Sequence, residues 1–191
     1  AMKRIDTPFI RNIALVGHGG TGKTSLGEAI LFTCNATTRL GSVNEKTSTF
    51  DFEAEEMERQ TSYASAVASV EWNNHKINLL DTPGDGVFMA DTRLCMQAAD
   101  VTLLLVSALD QVEVGSERAW ASAEELARPR MIYVAKMDKE RADFGKTLAE
   151  MRNVWGPNIA PLQIPIGAGD DFSGVVDVLN MKAYVYGSDG K

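Results

Sequence analysis

A glycine-rich turn between a buried strand and a helix constrains this chain more than any other feature. The segment IALVGHGGTGKTSL places four apolar residues before the turn and a helix-period run after it. Residues Gly17 to Thr24 fit the pattern G-x-x-x-x-G-K-[ST]. Glycines let successive backbone N–H groups face one anion, and a helix N-terminus adds free donors and positive partial charge. The segment therefore predicts a phosphate-binding loop; the alternative is a glycine-rich turn without a ligand.

The predicted phosphate contacts come from the loop and the first turn of the helix. Lys23 can reach the β- and γ-phosphates of a nucleotide, and the Thr24 hydroxyl can bind Mg²⁺ together with water and phosphate oxygens. The predicted phosphate-binding residues of this segment are Gly17, His18, Gly19, Gly20, Thr21, Gly22, Lys23, Thr24 and Ser25.

Strand-like and helix-like segments alternate along the chain, which predicts an α/β fold. The runs VTLLLV and MIYVA are apolar throughout, as is typical of central strands, and SVEWNNHKINLL reads as a hairpin. We expect a mainly parallel sheet with one antiparallel edge strand and helices on both faces. The expected strands are Asn12–Gly17, Ala66–Trp72, Lys76–Asp81, Val101–Ser107 and Arg130–Lys136; the expected helices are Lys23–Thr33, Val87–Gln97, Ser116–Leu126 and Asp143–Asn153. The polar segment 35–61 lacks strong periodicity, and a loop of that length is usually functional or disordered.

Two further clusters follow predicted strands, at the edge where α/β folds bind ligands. In LLDTPGDG, Asp81 can hold Mg²⁺ through water, and Gly84 can offer its N–H to a terminal phosphate. In AKMDK, Asp138 can accept two hydrogen bonds from guanine while the Lys136 stem covers the base. The predicted base-contacting residues are Ala135, Lys136, Met137 and Asp138. Each cluster alone also fits an ordinary turn.

Composition limits the other classes of function. A net charge of −7 makes this chain a poor non-specific binder of nucleic acid. Cys34 and Cys95 stand far apart without a C-x-x-C pattern, which favours free thiols and a cytoplasmic location. Only two histidines are present, so we expect no metal beyond Mg²⁺. No apolar run approaches the roughly 20 residues of a membrane span, and we expect a monomer without a membrane partner.

The motifs above, together with VGSERAW, RPRMIYVAKMDKERADF and LQIPIGAGDDFSGVVDVLNMKAYVY, resemble translational GTPases, specifically elongation factor G and its close relatives. The resemblance spans about residues 10–187. It implies a P-loop NTPase G domain that binds GTP or GDP with Mg²⁺ and, in the full-length factor, hydrolyses GTP under stimulation by the ribosome. It also implies an N-terminal extension (1–9), a G-domain core (10–158) and the beginning of the family's insert (159–191).

The resemblance also assigns segments that respond to the γ-phosphate. Residues 35–65 would be switch I and residues 82–98 switch II. Ser62 takes the position of the family's switch I threonine and keeps a hydroxyl for Mg²⁺, which completes a metal set of Thr24, Ser62 and Asp81; alternatively, Ser62 is a solvated loop serine. The family's last base-contacting motif follows the insert, so we expect this chain to be the N-terminal piece of a longer factor.

Three residues depart from the family pattern. Asp85 stands where the family has the histidine that orients the attacking water, so we expect hydrolysis slower by on the order of 10²-fold; alternatively, Asp85 points to solvent and another group orients the water. Ala135 replaces the asparagine of N-K-x-D, at a cost of about 1–2 kcal/mol of nucleotide affinity. Gly20 replaces an aspartate beside the phosphates. The expected catalytic residues are Lys23, Gly84 and Asp85.

Three functions remain open from the sequence. The first is a guanine nucleotide switch whose hydrolysis the ribosome stimulates. The second is a GTP- or GDP-binding module with poor or lost hydrolysis, which Asp85 and Ala135 favour. The third is a P-loop ATPase, which Asp138 disfavours because adenine lacks the paired donors that its carboxylate would bind.

Overall fold

The computed structural model describes residues 5–187. Its strands are β1 Ile10–Gly17, β2 Ala66–Trp72, β3 His75–Asp81, β4 Val101–Ser107, β5 Arg130–Ala135, β6 Gln163–Ile166, β7 Gly174–Asp177 and β8 Lys182–Val185. Its α-helices are α1 Lys23–Thr33, α2 Ala54–Arg59, α3 Met89–Ala98, α4 Val114–Glu125 and α5 Phe144–Trp155. Short 3-10 turns lie at Thr7–Phe9, Gly86–Phe88 and Gly169–Asp171.

The first five strands form one sheet in the order β2-β3-β1-β4-β5. Strand β1 runs parallel to both β3 and β4, whereas β2 pairs antiparallel with β3 at the edge. Asn73 and Asn74 connect these two strands with φ of 46° and 61°, the conformation of a tight hairpin turn that asparagine tolerates. The mainly parallel sheet with one antiparallel edge strand, surrounded by helices, is confirmed.

The core of the sheet is apolar because its central strands are covered on both sides. Ala14, Leu15 and Val16 of β1 are completely buried, as is typical of a middle parallel strand. A second group of buried side chains joins α1 to β2, β3 and the polar segment; it comprises Leu31, Phe50, Ala66, Val70 and Leu79. Phe50 therefore anchors the segment 35–65 to the body of the protein.

Several details of the sequence prediction were wrong. Helix α2 lies inside the polar segment 35–61, where the sequence predicted no helix. Its six residues are too few to show a helical period. A capping box between Glu53 and Glu56 stabilises its first turn instead. Lys136 lies outside β5 and has φ of 62°, so the strand ends one residue earlier than expected. The expected bounds of β2, β4 and α1 are confirmed, and the other expected elements differ at one or both ends by one or two residues.

The Cα positions divide the chain into two compact units. One runs through Leu105 and includes Val114–Tyr133; the other comprises Val106–Glu113 and the chain from Val134 onward. The second unit contains a three-stranded antiparallel sheet, β6-β7-β8, that the sequence did not predict. Within its three strands only Gly174 is buried. Across residues 5–187, none of the helices has the length and apolar character needed to cross a bilayer.

Candidate functional site

The glycine-rich turn folds around the ammonium group of Lys23. This side chain is 6% exposed, and its Nζ donates to the carbonyl oxygens of Gly17 (3.1 Å) and His18 (2.8 Å). Thr21, also buried, donates its hydroxyl to the same His18 carbonyl at 2.9 Å. The charge is thus fixed inside the loop before any ligand arrives, which lowers the entropic cost of binding an anion.

The loop leads directly into helix α1 without a side-chain cap. Gly22 is the N-cap residue, with φ of 98°, and Lys23, Thr24 and Ser25 form the first turn. A helix start of this kind leaves its amide donors available to an anion. Gly20 also has positive φ, at 76°.

Two glycines allow close backbone approach at this loop. A Cβ on Gly17 would lie 2.5 Å from the carbonyl oxygen of Leu105, so only glycine permits β1 to end against β4. A Cβ on Gly84 would lie 2.6 Å from both the Gly19 nitrogen and the Lys23 Nζ. The turn formed by residues 81–84 therefore packs against the phosphate-binding loop, and a side chain at position 84 would fill that space.

Thr24 and Asp81 meet at the carboxyl end of β3. The Thr24 hydroxyl donates to Asp81 Oδ2 at 2.6 Å, which leaves the lone pairs of the hydroxyl available to a cation. The other oxygen, Asp81 Oδ1, is buried without a hydrogen-bond partner. Burial raises the pKa of Asp81 from 3.8 to about 6, although the Thr24 hydrogen bond and the Lys23 charge oppose the rise. A buried carboxylate with an unsatisfied oxygen beside a hydroxyl fits a divalent cation.

The raised pKa of Asp81 makes stability depend on pH. As pH rises from 3.8 to 6, the Asp81 carboxyl loses its proton in the unfolded state before it does so in the folded state, so the free energy of unfolding falls. Above pH 6 both states are ionised, and there is no further fall. We expect the free energy of unfolding of the wild-type protein in Mg²⁺-free buffer to fall by about 2 kcal/mol, relative to that of Asp81→Asn, between pH 4 and 7. Urea titrations across this range provide the measurement, and parallel pH profiles for the two proteins would contradict the expectation.

The hydrogen bond of the Ser62 hydroxyl goes to Asp51 and not to Asp81. The hydroxyl donates to Asp51 Oδ1 at 3.1 Å. Asp51 is 4% exposed, and its pKa is raised by burial and by the charges of Glu56 and Glu28, while the hydrogen bond from Ser62 lowers it. Ser62 is therefore partly buried, and a hydrogen bond to a buried carboxylate fixes its hydroxyl.

Asp85 lies at the start of the 3-10 turn Gly86–Phe88. Its side chain is exposed, and Oδ1 accepts a hydrogen bond from the Val87 N–H at 3.0 Å. The carboxylate thus acts as the N-cap of this turn. This geometry corresponds to the alternative in which Asp85 faces solvent.

The predicted base-contacting residues lie together in the second unit. The carbonyl of Ala135, at the end of β5, accepts from the Ala108 N–H at 2.9 Å, and Met137 is buried. Lys136 Nζ lies 3.8 Å from Asp110 Oδ2. Asp138 is exposed, and its Oδ2 lies 2.9 Å from Lys139 Nζ.

Three buried carboxylates in and beside the segment 35–65 were not identified from the sequence: Glu28, Asp51 and Glu56. Glu56 accepts hydrogen bonds from the N–H groups of Tyr63 (2.8 Å) and Ala64 (3.1 Å). Acidic residues in a polar segment are normally solvated, so composition gave no signal. The spacing of Glu53 and Glu56 was the one available sign, since it matches that of a capping box.

Comparison with known proteins agrees with this arrangement. The sequence matches the family described as "Elongation factor Tu GTP binding domain" over residues 9–188. The fold is similar to a crystal structure of a protein from Thermus thermophilus, with a TM-score of 0.89 and 42% sequence identity. That similarity covers 94% of this chain but 27% of the other, so the chain spans about a quarter of that relative's length. The chain therefore belongs to the elongation factor Tu GTP-binding domain family, and it is a G domain of the translational GTPases.

Proposed function

We propose that this chain is the guanine nucleotide-binding domain of an elongation factor G-like GTPase, and that it binds GTP or GDP with Mg²⁺. The observation that carries the proposal is the hydrogen bond from Thr24 to Asp81 Oδ2. It places the lone pairs of the Thr24 hydroxyl next to a buried carboxylate whose other oxygen, Oδ1, has no hydrogen-bond partner. In the intact factor, ribosome-stimulated hydrolysis of GTP is the reaction that this domain would perform. The domain would act as a monomer in the cytoplasm.

The phosphate end of the nucleotide would be held by the loop residues Gly17–Thr24. Lys23 would neutralise phosphate charge, and the backbone N–H of Gly84 would donate to the terminal phosphate. Thr24, Ser62 and Asp81 would hold Mg²⁺, with Asp81 acting through water. When bound, the ion would neutralise negative charge that develops on the phosphate oxygens during hydrolysis.

The base end would be read by the segment after β5. Asp138 carries the acceptor oxygens that match the paired donors of guanine, and the aliphatic part of Lys136 would cover one face of the base. Because Lys139 already pairs with Asp138, guanine would have to replace or share that contact. Both side chains of this pair are more than half exposed, so the pair contributes little to stability and its loss would cost little.

The proposal is tested by calorimetric titration of this chain with GTP, GDP and ATP, each with Mg²⁺. Binding of the guanine nucleotides alone is the expected result. Equal affinity for ATP would reject the reading of the base by Asp138. Absence of binding to all three nucleotides would reject the proposed site in this chain.

Changing Asp138 to asparagine should alter the choice of base. An amide nitrogen at this position donates where the carboxylate accepted, so it suits the C2 oxygen of xanthine and no longer suits guanine. Loss of hydrogen bonds to a charged acceptor should weaken GDP binding by roughly 10- to 100-fold. Titrations with GDP and XDP measure both effects. Glu140→Gln removes a neighbouring exposed carboxylate and is the matched control; unchanged guanine preference in Asp138→Asn would show that the base is read elsewhere.

A further inference from the structure

We propose that Glu28, Ser48 and Asp51 form a hydrogen-bonded relay that orients the hydroxyl of Ser62 toward the cation. Glu28, Ser48 and Asp51 are thus positioning residues, which act through Ser62 and not on the nucleotide. This inference rests on the proposed function, in which Ser62 is a ligand of Mg²⁺. It goes beyond that function because it explains how a serine in a long polar segment is held in place.

The first step of the relay fixes the direction of the Ser62 proton. The hydroxyl donates to Asp51 Oδ1, so its lone pairs face away from that carboxylate. Thr24 has the same arrangement with Asp81, whose Oδ2 accepts its proton. Each proposed metal-binding hydroxyl is therefore paired with its own buried aspartate. A hydroxyl with its proton engaged in this way presents oxygen to a cation without rotating.

The second step fixes Asp51 through Ser48. The Ser48 Oγ accepts hydrogen bonds from the backbone N–H groups of Phe50 (3.1 Å) and Asp51 (3.3 Å). Its own proton goes to Glu28 Oε1 at 3.0 Å. The hydroxyl thus uses its donor and both of its lone pairs, and removing it would release the turn that aims Asp51.

The third step anchors the relay on helix α1. Glu28 is completely buried, and it also accepts hydrogen bonds from the backbone N–H and the hydroxyl of Thr49. Next to it, a Cβ on Gly27 would lie 2.6 Å from the ring of Phe50, so the glycine makes room for that ring. Glu28 lies four residues after Thr24, about one helical turn away. One rigid helix therefore carries both a proposed metal ligand and the anchor that places another.

The test measures how much Mg²⁺ is needed to retain a fluorescent, non-hydrolysable GTP analogue. Ser48→Ala breaks the relay at a half-buried hydroxyl and leaves the buried carboxylates in place. We expect its half-saturating Mg²⁺ concentration to rise about 5-fold, as for the loss of one hydrogen bond. Ser48→Thr keeps a hydroxyl and should restore the wild-type value. Thr61→Ala is the matched control, because that exposed hydroxyl donates only to the Arg59 carbonyl.

The double variant Ser48→Ala/Ser62→Ala separates positioning from a general structural role. If Ser48 acts through Ser62, the double variant should need no more Mg²⁺ than Ser62→Ala alone. Additive effects in the double variant would overturn the relay, and so would a wild-type Mg²⁺ requirement in Ser48→Ala. The relay would also be overturned if Ser48→Ala weakened binding of the analogue equally in the absence of Mg²⁺. Failure of the wild-type protein to retain the analogue at any Mg²⁺ concentration would instead reject the proposed function.

Discussion

Lys23→Ala should abolish detectable binding of GTP to this chain. The substitution removes the only side-chain cation that the structure places inside the phosphate-binding loop among residues 5–187, and it leaves the carbonyls of Gly17 and His18 without their shared donor. In the proposed complex, the Lys23 ammonium would donate at least two charge-assisted hydrogen bonds to phosphate oxygens of GTP. Their loss predicts an affinity for GTP that is lower by about 10³-fold or more. Calorimetric titration with GTP and Mg²⁺ measures the effect.

Lys146→Ala provides the control for this experiment. Lys146 lies on α5 with its side chain 75% exposed, so its removal lowers the total charge equally without changing the loop. Circular dichroism spectra of both variants show whether each retains the fold. Near-normal GTP affinity in a folded Lys23→Ala protein would contradict the assignment of this loop to phosphate.

Asp85→His should raise ribosome-stimulated GTP turnover in the full-length factor. Under the proposed function, the negative charge of Asp85 would oppose the charges of the γ-phosphate and of RNA, whereas an imidazole could donate to and orient a water molecule. Restoring one positioned group predicts an increase on the order of 10²-fold. Single-turnover hydrolysis with and without ribosomes is the measurement.

The control is Asp85→Asn. Its amide oxygen can still accept the Val87 N–H hydrogen bond that caps the 3-10 turn, but its charge is gone. A gain with histidine alone would assign the effect to orientation of water. An equal gain with asparagine would assign it to charge. Unchanged turnover in Asp85→His would show that position 85 does not face the attacking water.

The predictions from sequence succeeded where residues close together in the chain determine the structure. The loop Gly17–Thr24 and the strands β1, β3 and β4 have strong local patterns, and their ends lie within two residues of the expected positions. Proximity of Thr24 and Asp81 followed from the rule that parallel strands end at one edge of the sheet.

Contacts that depend on the path of the polar segment could not be predicted. Asp51 is buried and accepts a hydrogen bond from Ser62, eleven residues later. Glu28 is buried and accepts hydrogen bonds from Ser48 and Thr49, which fold back onto α1. No period in the sequence reports such contacts. The sheet β6-β7-β8 was missed for a related reason: its strands have four residues each, which is too short for an alternating pattern to stand out.

The sparse burial of this second sheet affects how melting experiments must be interpreted. Its strands bury no hydrophobic side chain completely, whereas β1 alone buries Ala14, Leu15 and Val16. Elements with so few buried contacts open at low free-energy cost, so β6-β7-β8 should exchange its amide protons well before the sheet that contains β1. Unfolding of this chain would then not be two-state, and a single melting temperature would average two processes. Stabilisation by a nucleotide should be sought in the transition that includes β1 and α1.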